Sequence, residues 1–446
     1  MDVRTQKFLV LGVSKSGYYA AKHILSRGGT CCIYEELGGE KINQSISELT
    51  SLGAENVTNN VYDVIKEVDV LLVSPGIPIN HELCVYAKKE GKRIIGELEF
   101  GFMQYNPLTV AVTGTNGKTT TVNMISNVFN SAKIKNKLVG NVGIPVSKVL
   151  DESDKDTAMI TEVSSFQLET INAFCPHIAC ILNISPDHLE RHYSMENYVF
   201  LKKRILKNLT ASEYAVLNYD DEIVKTFSLD TLANVVWIST KERVDGAYYV
   251  KGSLYYKDKF IISESDLPVR GIHNVYNALF TIATCIISGV PIESIVEGLT
   301  SFKGAKHRLE MVCEKDGKKF FDDSKSTNTA STITALESMI GPTVLILGGS
   351  EKGEGYQKLF ETIKNRGIKH VVLTGASRYN MLSTSGEIGY SEITVTENFI
   401  NAVKIANLMA DKGDCVLLSP ACASFDCFKN FEERGDEFFR IVREEL

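Results

Sequence analysis

The stretch VTGTNGKTTT, residues 112–121, predicts how the middle of this chain folds. The apolar, β-branched run LTVAV precedes it, and VNMISNVF, with apolar residues spaced for a helix, follows it. A strand, a glycine-containing loop and a helix in that order point main-chain N–H groups at an anion, and Lys118 adds a positive charge. The two glycines are closer together than in the pattern G-x-x-x-x-G-K-[ST]. The stretch therefore predicts a phosphate-binding loop, with a chance match in a surface loop as the alternative.

Short apolar runs recur along the chain at intervals that leave room for a helix between them. They are KFLVLGV, CCIYE, DVLLVSP, RIIGE, LTVAVTG, AMITEVS, IACILNIS, TVLILGG, HVVLTG and CVLLSPA. Near-continuous Val, Ile and Leu are typical of strands covered on both faces, so these runs predict parallel sheets with crossover helices. The segment GAYYVKGSLYYKDKFII, residues 246–262, instead alternates and turns at Lys251-Gly252 and Lys257-Asp258, which predicts a small antiparallel insertion.

The length of 446 residues favours about three domains. We place the boundaries near residues 96 and 305, which gives a first domain of 1–96, a central domain of 97–304 and a last domain of 305–446. The predicted fold class is α/β, with each of the three domains built on a mainly parallel sheet and its flanking helices.

Composition and charge argue against several classes of partner. The net charge of −7 gives no field that attracts a polyanion, so we expect no nucleic-acid partner. No run approaches the roughly 18 apolar residues of a membrane span, and the N-terminus lacks the long apolar segment of a signal peptide. The ten cysteines are scattered without a C-x-x-C pair, which favours buried thiols in a reducing cytoplasm over a zinc site. We therefore expect a cytoplasmic protein without a membrane partner.

The first domain opens with LGVSKSGYYAAKHIL, which invites comparison with the dinucleotide pattern G-x-G-x-x-G. Gly12 and Gly17 are present, but Ser14 takes the middle position, where glycine allows a pyrophosphate to approach. A redox cofactor is therefore disfavoured, although Glu35 could bind a ribose. The turn could hold the phosphates of another nucleotide, or it could be a bare strand-to-helix turn. The candidate ligand-binding residues of this crevice are Ser14, Lys15, Ser74 and Gly76.

Two polar segments follow strands of the central domain. Glu162 ends the strand in MITEVSSFQLE, after the phosphate loop, where a carboxylate can hold Mg²⁺ against phosphates. His188 follows the next strand, but its spacing alone does not make it a ligand. Lys202 and Lys203 lie on a helix-like segment, and the pattern alone predicts a solvated basic face for both.

Amides and polar side chains gather in later segments. HNVYNALFTIA places Asn274 and Asn277 three apart on one helix face, where they could bind a base edge or act as ordinary polar surface. In the last domain, short polar segments at strand ends contain Arg308, Asp323, Lys325, Thr327, Lys352 and Ser424. The Lys, Thr and Ser donors among them suit a carboxylate-bearing substrate.

Motifs distributed from one end of the chain to the other form a specific combination. They are TGTNGKTT, GNVGIP, EVSSFQLE, ISPDHLERH, HNVYNA, HRLE, DDSKSTN, LGGSEKG and SPACASFDCFKNFEERG. On these motifs the chain resembles the ATP-dependent Mur ligases of peptidoglycan synthesis, whose phosphate loop has the same shortened form. EVSSFQLE together with SPACASFDCFKNF points to the members of that family that add D-glutamate.

The resemblance implies a role for each domain and for individual residues. It implies a Rossmann-like first domain that binds the UDP-substrate, a P-loop ATPase-like central domain, and a Rossmann-like last domain that binds D-glutamate. Expected around ATP are Gly114, Thr115, Asn116, Gly117, Lys118, Thr119, Thr120, Thr121, Asn274, Asn277, Arg308 and Asp323. Expected to hold two Mg²⁺ ions are Thr119, Glu162, His188 and Lys202, with Lys202, from Tyr198-x-x-x-Lys202, carbamylated. Asn141 is expected at the UDP-muramoyl substrate, and Lys325, Thr327, Lys352, Ser424, Phe425 and Phe431 are expected at D-glutamate.

The chain departs from the family at Glu35-Glu36-Leu37, where the uridine contacts would lie. The implied reaction activates the carboxylate of UDP-N-acetylmuramoyl-L-alanine as an acyl phosphate, which the amine of D-glutamate then attacks, with Lys118, Glu162, His188 and Lys202 as catalytic residues. We expect a monomer whose last domain closes over the central one. Two alternatives remain: a related amide ligase, such as a folylpolyglutamate synthetase, with another acceptor, and a nucleotide-regulated binding protein without turnover.

Overall fold

The computed structural model describes residues 1–57, 59–105, 107–141, 143–304, 306–351, 353 and 355–446. The chain divides into two compact units, Met1–Lys303 and Gly304–Leu446. Across these described ranges, none of the helices combines the length and the apolar character that crossing a bilayer requires.

The first sheet lies in the first unit, and all of its described strands are parallel, in the order β3-β2-β1-β4-β5. The strands are β1 (Lys7–Leu11), β2 (Thr30–Tyr34), β3 (Glu55–Asn56), β4 (Val70–Val73) and β5 (Arg93–Gly96). The helices that accompany them are α1 (Lys15–Ser26), α2 (Glu40–Ser51), α3 (Val61–Glu67), α4 (Glu82–Lys89) and α5 (Glu97–Gln104). The order reverses direction between β1 and β4, and the crevice at such a reversal is where open α/β sheets bind ligands.

The second sheet of this unit follows in the order β14-β13-β12-β11-β10-β9-β6-β8-β7. Its strands are β6 (Thr109–Thr113), β7 (Asn136–Gly140), β8 (Ala158–Glu162), β9 (Ile178–Ile181), β10 (Tyr214–Asn218), β11 (Asn234–Ser239), β12 (Gly246–Val250), β13 (Ser253–Tyr256) and β14 (Lys259–Ser263). Its helices are α6 (Lys118–Ser131), α7 (Val146–Val149), α8 (Ser165–Leu168), α9 (Leu189–His192), α10 (Met195–Lys203), α11 (Glu222–Thr226), α12 (Ile272–Ile287) and α13 (Ile292–Thr300). Helices α6, α12 and α13 pack together and bury an apolar cluster that includes Val128 and Leu279.

The predicted antiparallel insertion is confirmed. Strands β12, β13 and β14 pair antiparallel with one another, and β12 runs parallel to β11, so the insertion extends the central sheet. The two predicted turns are present, with Lys251 and Lys257 at positive φ.

The second unit holds a sheet in the order β15-β16-β20-β17-β18-β19, parallel except for the β15–β16 pair. Its strands are β15 (Glu310–Lys315), β16 (Lys318–Asp322), β17 (Thr343–Gly348), β18 (His370–Thr374), β19 (Ile393–Val395) and β20 (Cys415–Leu418). Its helices are α14 (Thr329–Ser338), α15 (Gln357–Arg366), α16 (Arg378–Ile388), α17 (Phe399–Met409) and α18 (Phe431–Arg440), the last continued by one π-helical turn, Ile441–Glu445.

The predicted fold class is confirmed, because three mainly parallel sheets with flanking helices account for the described residues. All ten apolar runs form strands, and their fully buried burial patterns in β4, β6, β8, β9, β17, β18 and β20 agree with sheets covered on both faces. The domain ranges 1–96, 97–304 and 305–446 stay a prediction.

Candidate active site

The phosphate loop joins β6 to α6, and its shape depends on Gly117 and Asn183. Gly117 precedes the first helical residue with φ 88, and a Cβ there would lie 2.6 Å from Oδ1 of Asn277, so only glycine fits. Asn183, which follows β9, accepts hydrogen bonds at its side-chain oxygen from the main-chain N–H of Asn116 (2.8 Å) and at its carbonyl from that of Thr115 (3.0 Å). These contacts fix the loop that leads into α6, where the N–H groups of the first helical turn have no acceptor within the helix and can bind an anion.

Two lysines meet at one carbonyl of this loop. Nζ of Lys118 donates to the carbonyl oxygens of Gly114 and Thr115, and Nζ of Lys202 donates to that of Gly114, each at 2.8 Å. Lys202 is 2% exposed, and burial, reinforced by the positive charge of Lys118, lowers the pKa of Lys202 well below its ordinary value. The prediction of a solvated face is therefore wrong for Lys202, although Lys203 is partly exposed and pairs with Asp230.

Glu162, the last residue of β8, is buried beside the loop. Its Oε2 accepts a hydrogen bond from the hydroxyl of Thr119 and its Oε1 accepts one from Nδ2 of Asn141, both at 2.8 Å. The structure thus brings together the Thr119 and Glu162 predicted as metal ligands. A hydroxyl and a carboxylate are oxygen donors of the kind that Mg²⁺ prefers, so this pair fits the ion.

His188 lies in the turn between β9 and α9. It has a left-handed φ of 52, and its ring nitrogens lie 3.7 Å from a carboxylate oxygen of Asp187 and 3.5 Å from one of Glu190. Its ring centroid is 5.0 Å from that of Phe166, which lies on α8 just after Glu162. His188 is therefore a half-exposed imidazole beside the phosphate-loop site, and its role as a metal ligand stays a prediction.

Sequence reasoning gave no role to two residues that hold the loop. Asn183 bonds to the loop main chain, and the hydroxyl of Tyr198 lies 3.1 Å from that of Thr115, with the Lys202 ammonium over its ring at 4.8 Å. Asn183 lies near the end of the run IACILNIS and Tyr198 begins the Y-x-x-x-K pattern, so both residues belonged to recognised segments. The spacing of these residues in the sequence does not predict their contacts in the folded chain.

The two predicted amides on α12 contact each other, and one of them contacts the phosphate-loop helix. Nδ2 of Asn277 donates to Oδ1 of Asn274 at 3.1 Å, which confirms that they share a helix face. The hydroxyl of Thr121 on α6 donates to Oδ1 of Asn277 at 3.1 Å. Thr120 is buried on the same helix.

The crevice of the first sheet lies where β1 and β4 end. The buried hydroxyl of Ser74 donates to the carbonyl of Gly12 at 2.7 Å, whereas Gly76 is exposed. Glu35 accepts from the main-chain N–H groups of Val13 (2.8 Å) and Leu37 (3.0 Å), so its carboxylate shapes this edge. A cavity of about 730 Å³ adjoins it, with Ser14, Lys15, Tyr18 and Tyr19 in its lining. Nζ of Lys15 donates to the carbonyl of Gly143 at 2.7 Å.

In the second unit, Asp323 follows β16 and is buried. It accepts hydrogen bonds from the hydroxyl of Ser419 (2.7 Å) and the N–H of Leu309 (3.1 Å). Burial raises the pKa of Asp323 to about 6, against the opposing influence of the Arg308 charge. Within the described residues, Nε of Arg308 is buried without a hydrogen-bond partner, so this donor remains able to bind a further acceptor.

His307, which precedes Arg308, is locked in a hydrogen-bonded cluster. Its ring Nδ1 lies 2.6 Å from Oδ2 of Asp322, and its main-chain N–H donates to Oε2 of Glu310 at 2.9 Å. The three side chains are close enough to hold a metal ion. Because they already satisfy one another, and a Cβ on Gly435 would lie 2.1 Å from Nδ1 of His307, we assign the cluster a structural role.

Arg434 is a buried arginine that was not predicted from the sequence. It bonds to groups next to the residues predicted for D-glutamate. Arg434 on α18 donates to the hydroxyl and the carbonyl of Ser324 (2.9 and 2.8 Å) and to the carbonyls of Cys422 (3.1 Å) and Ala423 (3.2 Å). Those groups flank the predicted Lys325 and Ser424. Burial lowers the pKa of Arg434 to about 10, which leaves it charged at neutral pH.

The remaining predicted D-glutamate residues occupy the same unit. The Lys325 ammonium lies 4.3 Å from the ring centroid of Phe431, and the N–H of Thr327 donates to the carbonyl of Lys325 at 2.9 Å. Ser424 is buried, whereas Phe425 is 73% exposed. Lys352 lies outside the described residues.

Comparison with known proteins gives concordant matches. The model of the Mur ligase middle domain matches residues 112–285, and that of the Mur ligase, glutamate ligase domain matches residues 307–422. A UDP-N-acetylmuramoylalanine–D-glutamate ligase of Clostridioides difficile is 36% identical over 98% of this chain and 98% of its own length. The same ligase of Ligilactobacillus salivarius is 38% identical over 98% of this chain and 96% of its own length.

Solved structures share the fold at lower identity. The MurF ligase of Thermotoga maritima in complex with ADP is 17% identical, with a TM-score of 0.63 and full coverage of both chains. The UDP-N-acetylmuramate-alanine ligase of the same organism is 18% identical, with a TM-score of 0.62 over 99% of this chain and 100% of its own. Because the matched relatives cover nearly the whole sequence and both family models match it, the chain belongs to the Mur ligase family, among its D-glutamate-adding members.

Proposed function

We propose that this chain joins UDP-N-acetylmuramoyl-L-alanine to D-glutamate through an amide bond at the expense of ATP, in the synthesis of peptidoglycan precursors. The observation that carries the proposal is the network at the phosphate loop, where Lys118 and Lys202 share the Gly114 carbonyl beside the buried Glu162. It occurs in a chain whose end-to-end relatives bear the name of that ligase.

The chemistry requires an activated carboxylate, because an unactivated one offers an amine no acceptable leaving group. The γ-phosphoryl group of ATP passes to a carboxylate oxygen of the muramoyl-L-alanine, which gives an acyl phosphate and ADP. The nitrogen of D-glutamate attacks the acyl carbon, loses a proton, and inorganic phosphate leaves as the amide forms. Lys118 and the N–H groups at the start of α6 stabilise the negative charge on the transferred group.

Two Mg²⁺ ions complete the proposal. Thr119 and Glu162 would hold one of them, and His188 with a carbamylated Lys202 would hold the other. An unmodified Lys202 ammonium repels a cation, whereas a carbamate presents oxygen ligands, so the second site fits only the modified side chain. When bound, the ions supply positive charge that offsets repulsion among the phosphates and carboxylates.

The decisive experiment measures ADP release with UDP-N-acetylmuramoyl-L-alanine and each of several amino acids. D-Glutamate should support turnover and L-glutamate should not. Turnover with a different acceptor would assign the chain to a related amide ligase, and ATP binding without ADP release under all conditions would indicate a binding protein. Oxygen-18 in the substrate carboxylate should appear in the released phosphate, and its absence would refute the acyl phosphate.

Carbamylation of Lys202 has a separate test. Protein equilibrated with ¹³C-bicarbonate should give a carbamate carbon signal in NMR that Lys202→Gln removes and the matched control Lys203→Gln retains. A signal that survives Lys202→Gln would reassign the modification. We further propose that the enzyme acts as a monomer in the cytoplasm, in keeping with its ten free cysteines; light scattering of the purified protein tests the oligomeric state.

The finer site assignments are also part of this proposal. They comprise Ser14, Lys15, Ser74, Gly76 and Asn141 for the UDP-substrate, Asn274, Asn277, Arg308 and Asp323 for ATP, and Lys325, Thr327, Lys352, Ser424, Phe425 and Phe431 for D-glutamate. Alanine substitution at each position should raise the KM of the assigned substrate first, and a rise in the KM of a different substrate would move the assignment.

A further inference from the structure

One arginine of the turn that carries His188 reaches across to the first sheet. On α9, Arg191 donates from Nη1 to the carbonyl of Gly76 (3.1 Å) and from Nη2 to the carbonyl of Ile77 (3.4 Å). Both carbonyls belong to the segment that follows β4, at the crevice formed with Gly12. The contact therefore connects the edge of the first sheet to the turn beside the phosphate loop.

Arg191 is itself firmly held. Its Nη2 donates to Oε2 of Glu169 at 2.8 Å and its Nε to Oε1 at 3.4 Å, with the two side chains only 16% and 9% exposed. Its guanidinium carbon lies 4.3 Å from the ring centroid of Phe166, the ring that also contacts His188. A planar, five-donor group can serve a carboxylate, a ring face and two carbonyls together, which a lysine ammonium cannot do.

We propose that Arg191 is a positioning residue that fixes the segment 74–77 relative to the His188 turn. This inference rests on the proposed function, in which the UDP end of the substrate occupies the first-sheet crevice and its carboxylate must reach the phosphate-loop site. One long substrate then spans both sheets, and the Arg191 contact sets the distance that it has to span. Small errors in such a distance cost large factors in rate, because the reacting atoms must be held in near-attack geometry.

A purely structural role makes a different prediction. The Glu169 carboxylate and the Phe166 ring already contact the guanidinium of Arg191. Its bonds to the Gly76 segment are therefore not needed to offset the burial of its charge. Arg204 provides a matched control, because it too donates to two main-chain carbonyls, those of Leu168 (2.8 Å) and Ile171 (2.6 Å). Leu168 ends α8 and Ile171 follows it closely, so neither acceptor belongs to the first sheet.

The experiment compares wild type, Arg191→Lys, Arg191→Gln and Arg204→Lys in the full chain. Calorimetry measures the binding of UDP alone and of UDP-N-acetylmuramoyl-L-alanine, kinetics give kcat and KM for each substrate, and thermal unfolding reports stability. Each Arg191 variant that retains cooperative unfolding should bind UDP with an affinity within about twofold of wild type. It should lose about tenfold in kcat/KM for the sugar nucleotide. Its KM for ATP should stay within about twofold of wild type. Arg204→Lys should lower the melting temperature without a loss in kcat/KM that is confined to the sugar nucleotide.

Two results would overturn the proposal. One is an unchanged kcat/KM for the sugar nucleotide in a folded Arg191 variant, and the other is a parallel loss for all three substrates that matches Arg204→Lys. Failure of the proposed function looks different, because wild type itself would then release no ADP in response to D-glutamate. Even in that case, the ratio of sugar-nucleotide binding to UDP binding still decides whether Arg191 positions the longer ligand.

Discussion

Around the phosphate loop, charged side chains bond to groups of that loop and its near neighbours, whereas in the second unit one buried arginine joins two separate loops. Glu162 receives the side chains of Thr119 and Asn141, and two lysines share the carbonyl of Gly114. Arg434 instead donates to carbonyls and one hydroxyl of two loops. The difference implies that changes in the first region remove chemistry and leave the fold intact. Changes in the second region move loops and reduce stability.

The largest expected effect is that of Lys118→Ala. Removing the charge nearest the phosphates should lower kcat by about 10²–10³-fold, the loss typical of one group that stabilises transition-state charge. The thermal unfolding midpoint should change little, because the carbonyls of Gly114 and Thr115 to which Lys118 donates belong to its own loop. The measurement is D-glutamate-dependent ADP release, with circular dichroism melting as the control. Activity within tenfold of wild type would be incompatible with the assigned role.

Arg434→Lys should show the opposite balance of effects. A lysine cannot reach the four acceptors of the guanidinium, so buried carbonyls lose their donors and the free energy of unfolding should fall by about 2–4 kcal/mol. The KM for D-glutamate should rise while the KM for ATP changes little. Urea unfolding and steady-state kinetics measure the two effects. Arg440→Lys, on the same helix but exposed, is the control, and equal behaviour of the two variants would contradict the comparison.

Asp323 gives the second region a pH dependence with a definite sign. Its pKa is raised to about 6 in the folded protein, so its contribution to stability is fully present below pH 3.8 and is lost as the pH rises through 6. The free energy of unfolding of Asp323→Asn minus that of wild type should therefore grow by about 2–3 kcal/mol between pH 4 and 7.5. Denaturant unfolding at a series of pH values measures it.

Asp411 supplies the control of opposite sign for the Asp323 experiment. Its hydrogen bond with Lys369 lowers the pKa of this exposed carboxyl, so its contribution is lost as the pH falls. The Asp411→Asn difference should accordingly change in the other direction, below about pH 4, and stay nearly constant between pH 4 and 7.5. The same slope for both variants would refute the assignment of the raised pKa to Asp323.

The smallest expected effect separates two neighbouring lysines. Lys203→Ala removes one partly exposed ion pair with Asp230, so kcat and every KM should stay within about twofold of wild type. Lys202→Ala, one position away, should lose at least about tenfold in kcat, because it empties a position buried beside the phosphate loop. Steady-state kinetics of both variants measure this contrast. Similar losses in kcat at the two positions would contradict the different roles of the two lysines.

Local sequence signals predicted much of the fold because its central strands are covered on both faces. Those strands appear as continuous apolar runs, and the hairpin turns at 251–252 and 257–258 carry their own signal. The short strands β3 and β19, like β7, β10 and β11, were not among the predicted runs. Strands β3 and β19 leave no such pattern, because they consist of two or three exposed or partly exposed residues at a sheet edge.

The site was predictable only as far as its contacts are local. Lys118 and its loop could be recognised from residues that are adjacent in sequence. The burial of Lys202 could not, because its acceptor on Gly114 lies 88 residues away. The role of Arg434 was missed for the same reason, since its acceptors on Ser324 lie 110 residues away.

The hairpin at the edge of the central sheet offers a practical handle on this protein. Lys251 and Gly252 both have positive φ, and a Cβ on Gly252 would meet nothing within 4 Å. In the sheet order, four strands separate β13 from β6, the strand that leads into the phosphate loop. An affinity peptide or a fluorescent reporter grafted at this turn would therefore have open space around it and would leave the nucleotide-handling machinery undisturbed.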